Sequence, residues 1–109
     1  MAGAKIIVLY PYPADVGSFE QAYTEEHMPM VNTASFPGIT RFVGTRVLGT
    51  PDGSTPPFYR IAELHFPSLG ALQAAAAGPG GQKAVAHAGS ISTGGPPIVL
   101  VADDEPIEF

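Results

Sequence analysis

Three side chains that could form a site recur at four-residue steps in the first third of the chain: Phe19, Tyr23 and His27. If this segment is helical, they lie along one stripe, because residues four apart stack on the same face of a helix. An imidazole has an ordinary pKa of about 6.5, so it can take and return a proton at neutral pH. We therefore predict His27 as a catalytic acid-base, Tyr23 as a hydrogen-bond donor to an enolate-like oxygen, and Phe19 as a substrate contact.

The stripe also has a purely structural interpretation. His27 would then hydrogen-bond a helix carbonyl near Pro29, where a proline inside a helix is expected to bend it. Tyr23 would be an ordinary aromatic residue of the core. Neither role requires a substrate, so the spacing alone leaves chemistry and packing open.

A second group of candidates lies on the predicted third strand, residues 58–66. Alternate side chains of a strand point to opposite faces of the sheet, and we assign the set that contains Arg60 and Leu64 to the helices. The other set is expected on the open face as a substrate-binding surface: Tyr59, Ile61, Glu63 and His65. Glu63 could fix one tautomer of His65, and a polar seam between two subunits is the alternative. Arg60 is expected in a structural or rim ion pair, and His87, which has no evident partner, is expected on the surface.

The strands and helices that must position these residues are predicted from the periodicity of apolar residues and from the Pro and Gly residues that separate the segments. Strands are predicted at 5–10, 40–48, 58–66 and 98–102, and helices at 16–33, 69–77 and, briefly, 82–88. Asp15, or Ser18 with Gln21, is expected to cap the first helix, and Ser68 the second. This order is typical of the ferredoxin-like βαββαβ fold, an α+β arrangement with helices on one face of a four-stranded antiparallel sheet. We expect one domain over residues 1–109.

The open face of such a sheet predicts a homodimer. A surface that carries Tyr59 and Ile61 would not normally stay in water, and pairing it with a second copy removes it from solvent. The two sheets would then enclose a lumen suited to a small hydrophobic organic ligand.

Composition narrows the classes of partner and chemistry. The formal net charge is −5, and the five Lys and Arg residues are scattered, so neither nucleic acid nor a membrane is expected as a partner. The chain has no cysteine, which together with the absence of an apolar span predicts a cytoplasmic protein. The histidines lack metal-ligand spacing, and the glycines near Pro79 lack the Lys and Ser or Thr of a phosphate-binding loop. We expect no metal and no cofactor, which leaves cofactor-free acid-base chemistry.

The same motifs resemble those of the EthD family of dimeric α+β barrel proteins, over residues 5–101. The resemblance is carried by the spacing Phe19, Tyr23, His27-Met28-Pro29, then Phe36-Pro37-Gly38, and later Leu64, Phe66 and Ser68-Leu69. It implies a homodimeric barrel and a role in the catabolism of small molecules, with ether degradation alongside a haem monooxygenase system as the founding association. Similar relatives include cofactor-independent isomerases of methyl-substituted muconolactones and polyketide-processing proteins. Two alternatives therefore stand beside the auxiliary role: an isomerase or lyase with His27 as proton shuttle on a lactone-like or polyketide-like substrate, and a non-catalytic dimeric ligand-binding protein.

Overall fold

A four-stranded antiparallel sheet in the order β2-β3-β1-β4 lies at the centre of the molecule. The computed structural model describes residues 3–109, and its strands are β1 (Ala4–Pro11), β2 (Arg41–Arg46), β3 (Phe58–Phe66) and β4 (Ile98–Asp103). Its helices are α1 (Val16–Ala22), α2 (Leu69–Ala77) and α3 (Pro79–Ile91). The ferredoxin-like α+β fold is confirmed, with three α-helices within residues 3–109. Within residues 3–109, no helix combines the length and the apolar character that crossing a bilayer requires.

The first helix is shorter than predicted and changes its winding twice. Its regular part ends at Ala22, a π turn follows over Tyr23–His27, and a 3₁₀ turn closes it at Met28–Met30. Pro29 explains the change, because proline lacks an N–H and its ring clashes with the carbonyl of the preceding turn. The widened turn places the N–H of Met28 on the carbonyl of Tyr23. Asp15 supplies the cap, since its Oδ1 accepts the N–H of Ser18 at 2.9 Å.

The third helix is longer than the predicted stretch at 82–88. It begins at Pro79, whose missing N–H costs nothing in the first turn, and it runs to Ile91. Its buried positions are Gly81, Ala84, Ala88 and Ile91. Three of these four residues are small, and a Cβ atom at Gly81 would lie 2.5 Å from the carbonyl oxygen of Ala75, so the start of the helix packs closely against the end of α2.

The core lies between the helices and one face of the sheet. Burial alternates along β1, where Ile6, Val8 and Tyr10 point to the helices and Ile7 and Leu9 point to the open face. On β3, Ala62, Leu64 and Phe66 are buried as predicted.

The connection between α3 and β4 passes against the backbone after β1, and Gly94 makes this approach possible. A Cβ atom at Gly94 would lie 1.6 Å from the carbonyl oxygen of Tyr12, so a side chain there requires the backbone to move. We expect Gly94→Ala to lower the free energy of unfolding by about 1–3 kcal/mol, measured by urea denaturation. Gly89→Ala is the matched control, because nothing lies within 4 Å of its Cβ and alanine favours the helix by up to about 1 kcal/mol. Equal urea midpoints for the two variants would contradict this prediction.

Candidate functional site

A small cavity lies between α3 and the helix-facing side of the sheet. Its volume is about 20 Å³, enough for about one water molecule. Among residues 3–109, His27 is the only polar side chain in its lining, which otherwise consists of apolar residues from β1, β2, β3, α3 and the segment after the 3₁₀ turn. Val85 in this lining is 42% exposed, so the cavity comes close to the surface beside α3.

His27 reaches this cavity from the end of the π turn and is 6% exposed. Burial, and secondarily the nearby His87, lower the pKa of His27 to about 4, because a low-dielectric environment disfavours the imidazolium. The side chain is therefore neutral at pH 7. A neutral imidazole has one N–H and one basic nitrogen, so it can accept a proton here.

His87 contacts His27 edge to edge, and the expectation that it lies on the surface without a partner is wrong. The two rings are within 7° of parallel with centroids 5.3 Å apart, and their Nδ1 atoms are 3.1 Å apart. His87 lies three residues after Ala84 and four before Ile91, so it belongs to the buried stripe of α3. The prediction missed this signal because it ended the helix at residue 88. Two imidazoles alone do not form a metal site, and within residues 3–109 no group of three His, Asp or Glu side chains is placed to hold a metal ion.

Tyr10 contacts His27 from the other side and was not among the predicted candidates. Its hydroxyl lies 3.4 Å from Nε2 of His27, and the side chain is fully buried. Burial raises the pKa of Tyr10, so the hydroxyl keeps its proton and can donate it to a hydrogen bond. The alternation of β1 was the available signal, since Tyr10 follows Ile6 and Val8 on the helix side.

Tyr23 is buried one turn before His27, with ring centroids 6.0 Å apart. The hydroxyl of Tyr23 has no hydrogen-bond partner among residues 3–109. Burial raises its pKa, and the guanidinium of Arg60 lies 4.6 Å from the ring centroid. Leaving a buried donor unpaired costs about 1–3 kcal/mol, so a bound acceptor would recover free energy here.

Phe19 lies in the core and is absent from the lining of the cavity. Its ring packs on Tyr10, Tyr23 and Tyr59 at centroid distances of 5.3, 5.7 and 5.8 Å. Phe19 is therefore a core residue that packs against Tyr10 and Tyr23.

Tyr59 does not lie on the open face, and that prediction is wrong. Tyr10 pairs with Arg60 and Pro11 pairs with Phe58, so Tyr59 is an extra residue in a β-bulge. A bulge re-aims a side chain, and here it turns Tyr59 toward the helices, where its hydroxyl donates to Glu20 at 2.9 Å. Arg60 reaches the same carboxylate at 3.0–3.1 Å, which is the structural ion pair predicted for it.

Ile61, Glu63 and His65 belong to the face of β3 opposite to Ala62 and Leu64, which is the open face. Glu63 and His65 lie close together, with Oε1 and Nε2 3.3 Å apart, and Lys5 contacts Glu63 at 3.1 Å. The sheet separates these three residues from His27. The seven predicted site residues therefore do not form one site: the sheet divides them, and only His27 lines the cavity.

Comparisons with known proteins agree on one family and one fold. The EthD domain family model matches residues 12–90. An uncharacterized 11.0 kDa protein from the thcB-thcC intergenic region of Rhodococcus erythropolis is 31% identical over 103 residues, which cover 94% of this chain and 96% of that one. An ethyl tert-butyl ether D (EthD) family protein of Bacillus halodurans has a solved structure with a TM-score of 0.84 and 26% identity, covering 94% of this chain and 99% of that one. A dimeric ferredoxin-like protein of unknown function from Jannaschia sp. gives a TM-score of 0.69 at 21% identity, covering 95% and 99%.

Proposed function

This chain belongs to the EthD family, and on that premise we propose that it binds a small, largely apolar organic molecule beneath α3 and exchanges a proton with it through His27. The strongest support is the neutral imidazole of His27, the one polar side chain in the lining of an apolar cavity within residues 3–109. An apolar wall with a single basic nitrogen suits a substrate that is a carbon acid, with a C–H next to a carbonyl.

The surrounding groups support this chemistry. Burial makes protonated His27 unfavourable on its own, and a negative charge that develops on the substrate would offset that cost. The unpaired hydroxyl of Tyr23 is a buried donor one turn away, outside the lining of the closed cavity, and it would polarise a substrate oxygen once the cavity opens toward it. Lactone-like and polyketide-like molecules carry both features, an acidic C–H and an adjacent carbonyl.

We also propose that the protein is a homodimer whose subunits meet through the open face of the sheet. Apolar side chains line the middle of that face: Ile7, Leu9, Ile61, Ile98 and Leu100. Glu63, His65 and Lys5 form a polar end beside them and would lie at the rim of the interface or in a lumen between the sheets. The description of the Jannaschia protein as dimeric agrees with this assembly.

The wider role is proposed from family membership. A cytoplasmic catabolic protein of one EthD-like domain over residues 1–109, auxiliary to an ether-degrading monooxygenase system, is consistent with the relatives and with the apolar cavity. In such a role the substrate would be passed to or from an oxygenase, and His27 would act on an enolisable product of that reaction.

The small volume of the cavity favours a second candidate function, binding without chemistry. About 20 Å³ does not admit an organic molecule until lining side chains, such as the partly exposed Val85, move aside. A protein that only binds a hydrophobic metabolite needs this opening but not a basic nitrogen.

Exchange of carbon-bound hydrogen for deuterium separates the two candidates while the natural substrate is still unidentified. A panel of lactones and ketones is incubated with the protein in D₂O, and loss of the acidic C–H signal is followed by proton NMR. We expect His27→Gln to slow the exchange by about 100-fold, since a general base contributes at least that factor. Lys83→Gln, on the exposed side of α3, is the matched control and should exchange at the wild-type rate. Undiminished exchange in folded His27→Gln would exclude His27 as the base, and binding without exchange in the wild type would favour the second candidate.

A further inference from the structure

Four side chains form a continuous series from the interior to the surface: Tyr10, His27, His87 and Glu26. The exposed fraction rises along the series, from 0% and 6% for the first two residues to 22% and 65% for the side chains of the last two. We propose that His87 is a positioning residue that holds His27 in one tautomer and, with Glu26, carries the proton of His27 to solvent. This inference rests on the proposed proton exchange at His27.

The tautomer of His27 is inferred first from Glu26, at the outer end of the series. The carboxylate of Glu26 can only accept, and its Oε1 lies 3.6 Å from Nε2 of His87, so it favours a proton on that nitrogen. A neutral imidazole carries one N–H, which leaves a lone pair on Nδ1 of His87. The contact of 3.1 Å between the two Nδ1 atoms is a hydrogen bond only if one of them carries a proton. His27 therefore donates from Nδ1.

The inner end of the series accommodates the same tautomer. With its proton on Nδ1, His27 has a lone pair on Nε2, and Tyr10 is a protonated donor 3.4 Å from that atom. Tyr23, the other titratable group beside the ring of His27, is also kept protonated by burial, which raises its pKa. The Glu26 carboxylate and the Tyr10 hydroxyl are thus both compatible with a His27 that is protonated on Nδ1.

This arrangement lets the buried imidazole act as a base without holding a charge. The Tyr10 hydroxyl first gives up its hydrogen bond to Nε2 of His27. A substrate C–H then breaks and its proton bonds to Nε2, while the proton on Nδ1 of His27 passes to Nδ1 of His87. The proton on Nε2 of His87 then passes to the carboxylate of Glu26 or to water, and the electron pair of the C–H bond stays on the substrate as an enolate. Each proton lost from one atom is gained by the next, and return of the proton to carbon reverses every step. An imidazolium, which burial disfavours, need not accumulate in the cavity.

The tautomer can be tested in the free protein, without any ligand. Nitrogen-15 NMR of the imidazoles distinguishes a protonated ring nitrogen from an unprotonated one, and we expect Nδ1 of His27 to be protonated and Nε2 unprotonated in the wild type. His87→Phe keeps an aromatic ring but offers no acceptor, so this preference should be lost. His87→Asn places an amide oxygen near the former Nδ1, so the tautomer should be restored.

Proton transfer is tested by deuterium exchange into the compound that the wild type exchanges fastest. We expect a fall of at least about tenfold in both His87→Phe and His87→Asn, because neither side chain passes a proton on, and a smaller fall in Glu26→Gln. Glu25→Gln is the matched control, a neighbouring exposed carboxylate whose contact is with Gln21, and it should leave the rate unchanged.

The two proposals fail in distinguishable ways. If His27→Gln loses exchange while His87→Phe keeps both the tautomer and the rate, the role of His87 is excluded and the proposed function stands. If the wild type exchanges no compound, the proposed function fails, and a His27 protonated on Nε2 in the free protein would overturn the positioning role as well.

Discussion

Leu100→Glu is expected to convert the proposed homodimer into a monomer, with a dissociation constant raised more than about 1,000-fold. Leu100 lies opposite Ile7, and Ile7 lies opposite Glu63, so the new carboxylate would stand on the open face with only β1 between it and an existing one. In a two-fold interface both subunits carry the change. Each buried carboxylate without a cation costs about 3 kcal/mol or more, and every 1.4 kcal/mol is about tenfold in affinity.

Val16→Glu is the matched control for this charge. Val16 is 43% exposed and Leu100 is 46% exposed, but Val16 is the first residue of α1, in the helix layer. Glutamate is favourable in the first turn of a helix, so the monomer should fold normally. Sedimentation velocity at micromolar concentration measures both variants, and circular dichroism confirms that Leu100→Glu remains folded. A Leu100→Glu protein that stays dimeric would show that the subunits meet elsewhere.

Several elements of the fold could be predicted because their boundaries depend on neighbouring residues in the chain. The third strand and the second helix match their predicted bounds, since alternation defines one and the Ser68 cap and the Gly78-Pro79 break define the other. The first helix was predicted too long because Pro29 was expected only to bend it. The helical segment in fact ends at Met30, one residue after Pro29. The third helix was predicted too short because glycines near its start suggested a loop, although they allow close packing.

The candidate site was predictable only in part, because its contacts join segments distant along the chain. His27 follows from a local stripe, whereas His87 is 60 residues away and meets it only when α3 packs against the π turn. Tyr59 was misplaced because a bulge depends on how β3 pairs with β1, which alternation within one strand cannot reveal. Glu63 and His65 were placed correctly relative to each other, but their separation from His27 by the sheet is a consequence of the tertiary fold.

Acidification from pH 7 to pH 4 is expected to lower the free energy of unfolding by about 3 kcal/mol through His27 alone. The pKa of His27 is about 4 in the folded protein, against about 6.5 in the unfolded chain. Between these values the unfolded chain binds a proton that the folded protein does not, so stability rises with pH across this window. The contribution of neutral His27 is complete above about pH 6.5 and is lost as the pH falls toward 4.

Urea denaturation of the wild type and of His27→Gln at several pH values isolates this effect, since carboxylates titrate in both proteins and cancel in the difference. The difference in unfolding free energy should shrink by about 3 kcal/mol from pH 7 to pH 4. His87→Phe should keep most of the wild-type slope, because burial is the larger cause of the lowered pKa and the charge of His87 the smaller. A constant difference over this range would mean that His27 titrates alike in both states, and the buried neutral base on which the proposed chemistry depends would be excluded.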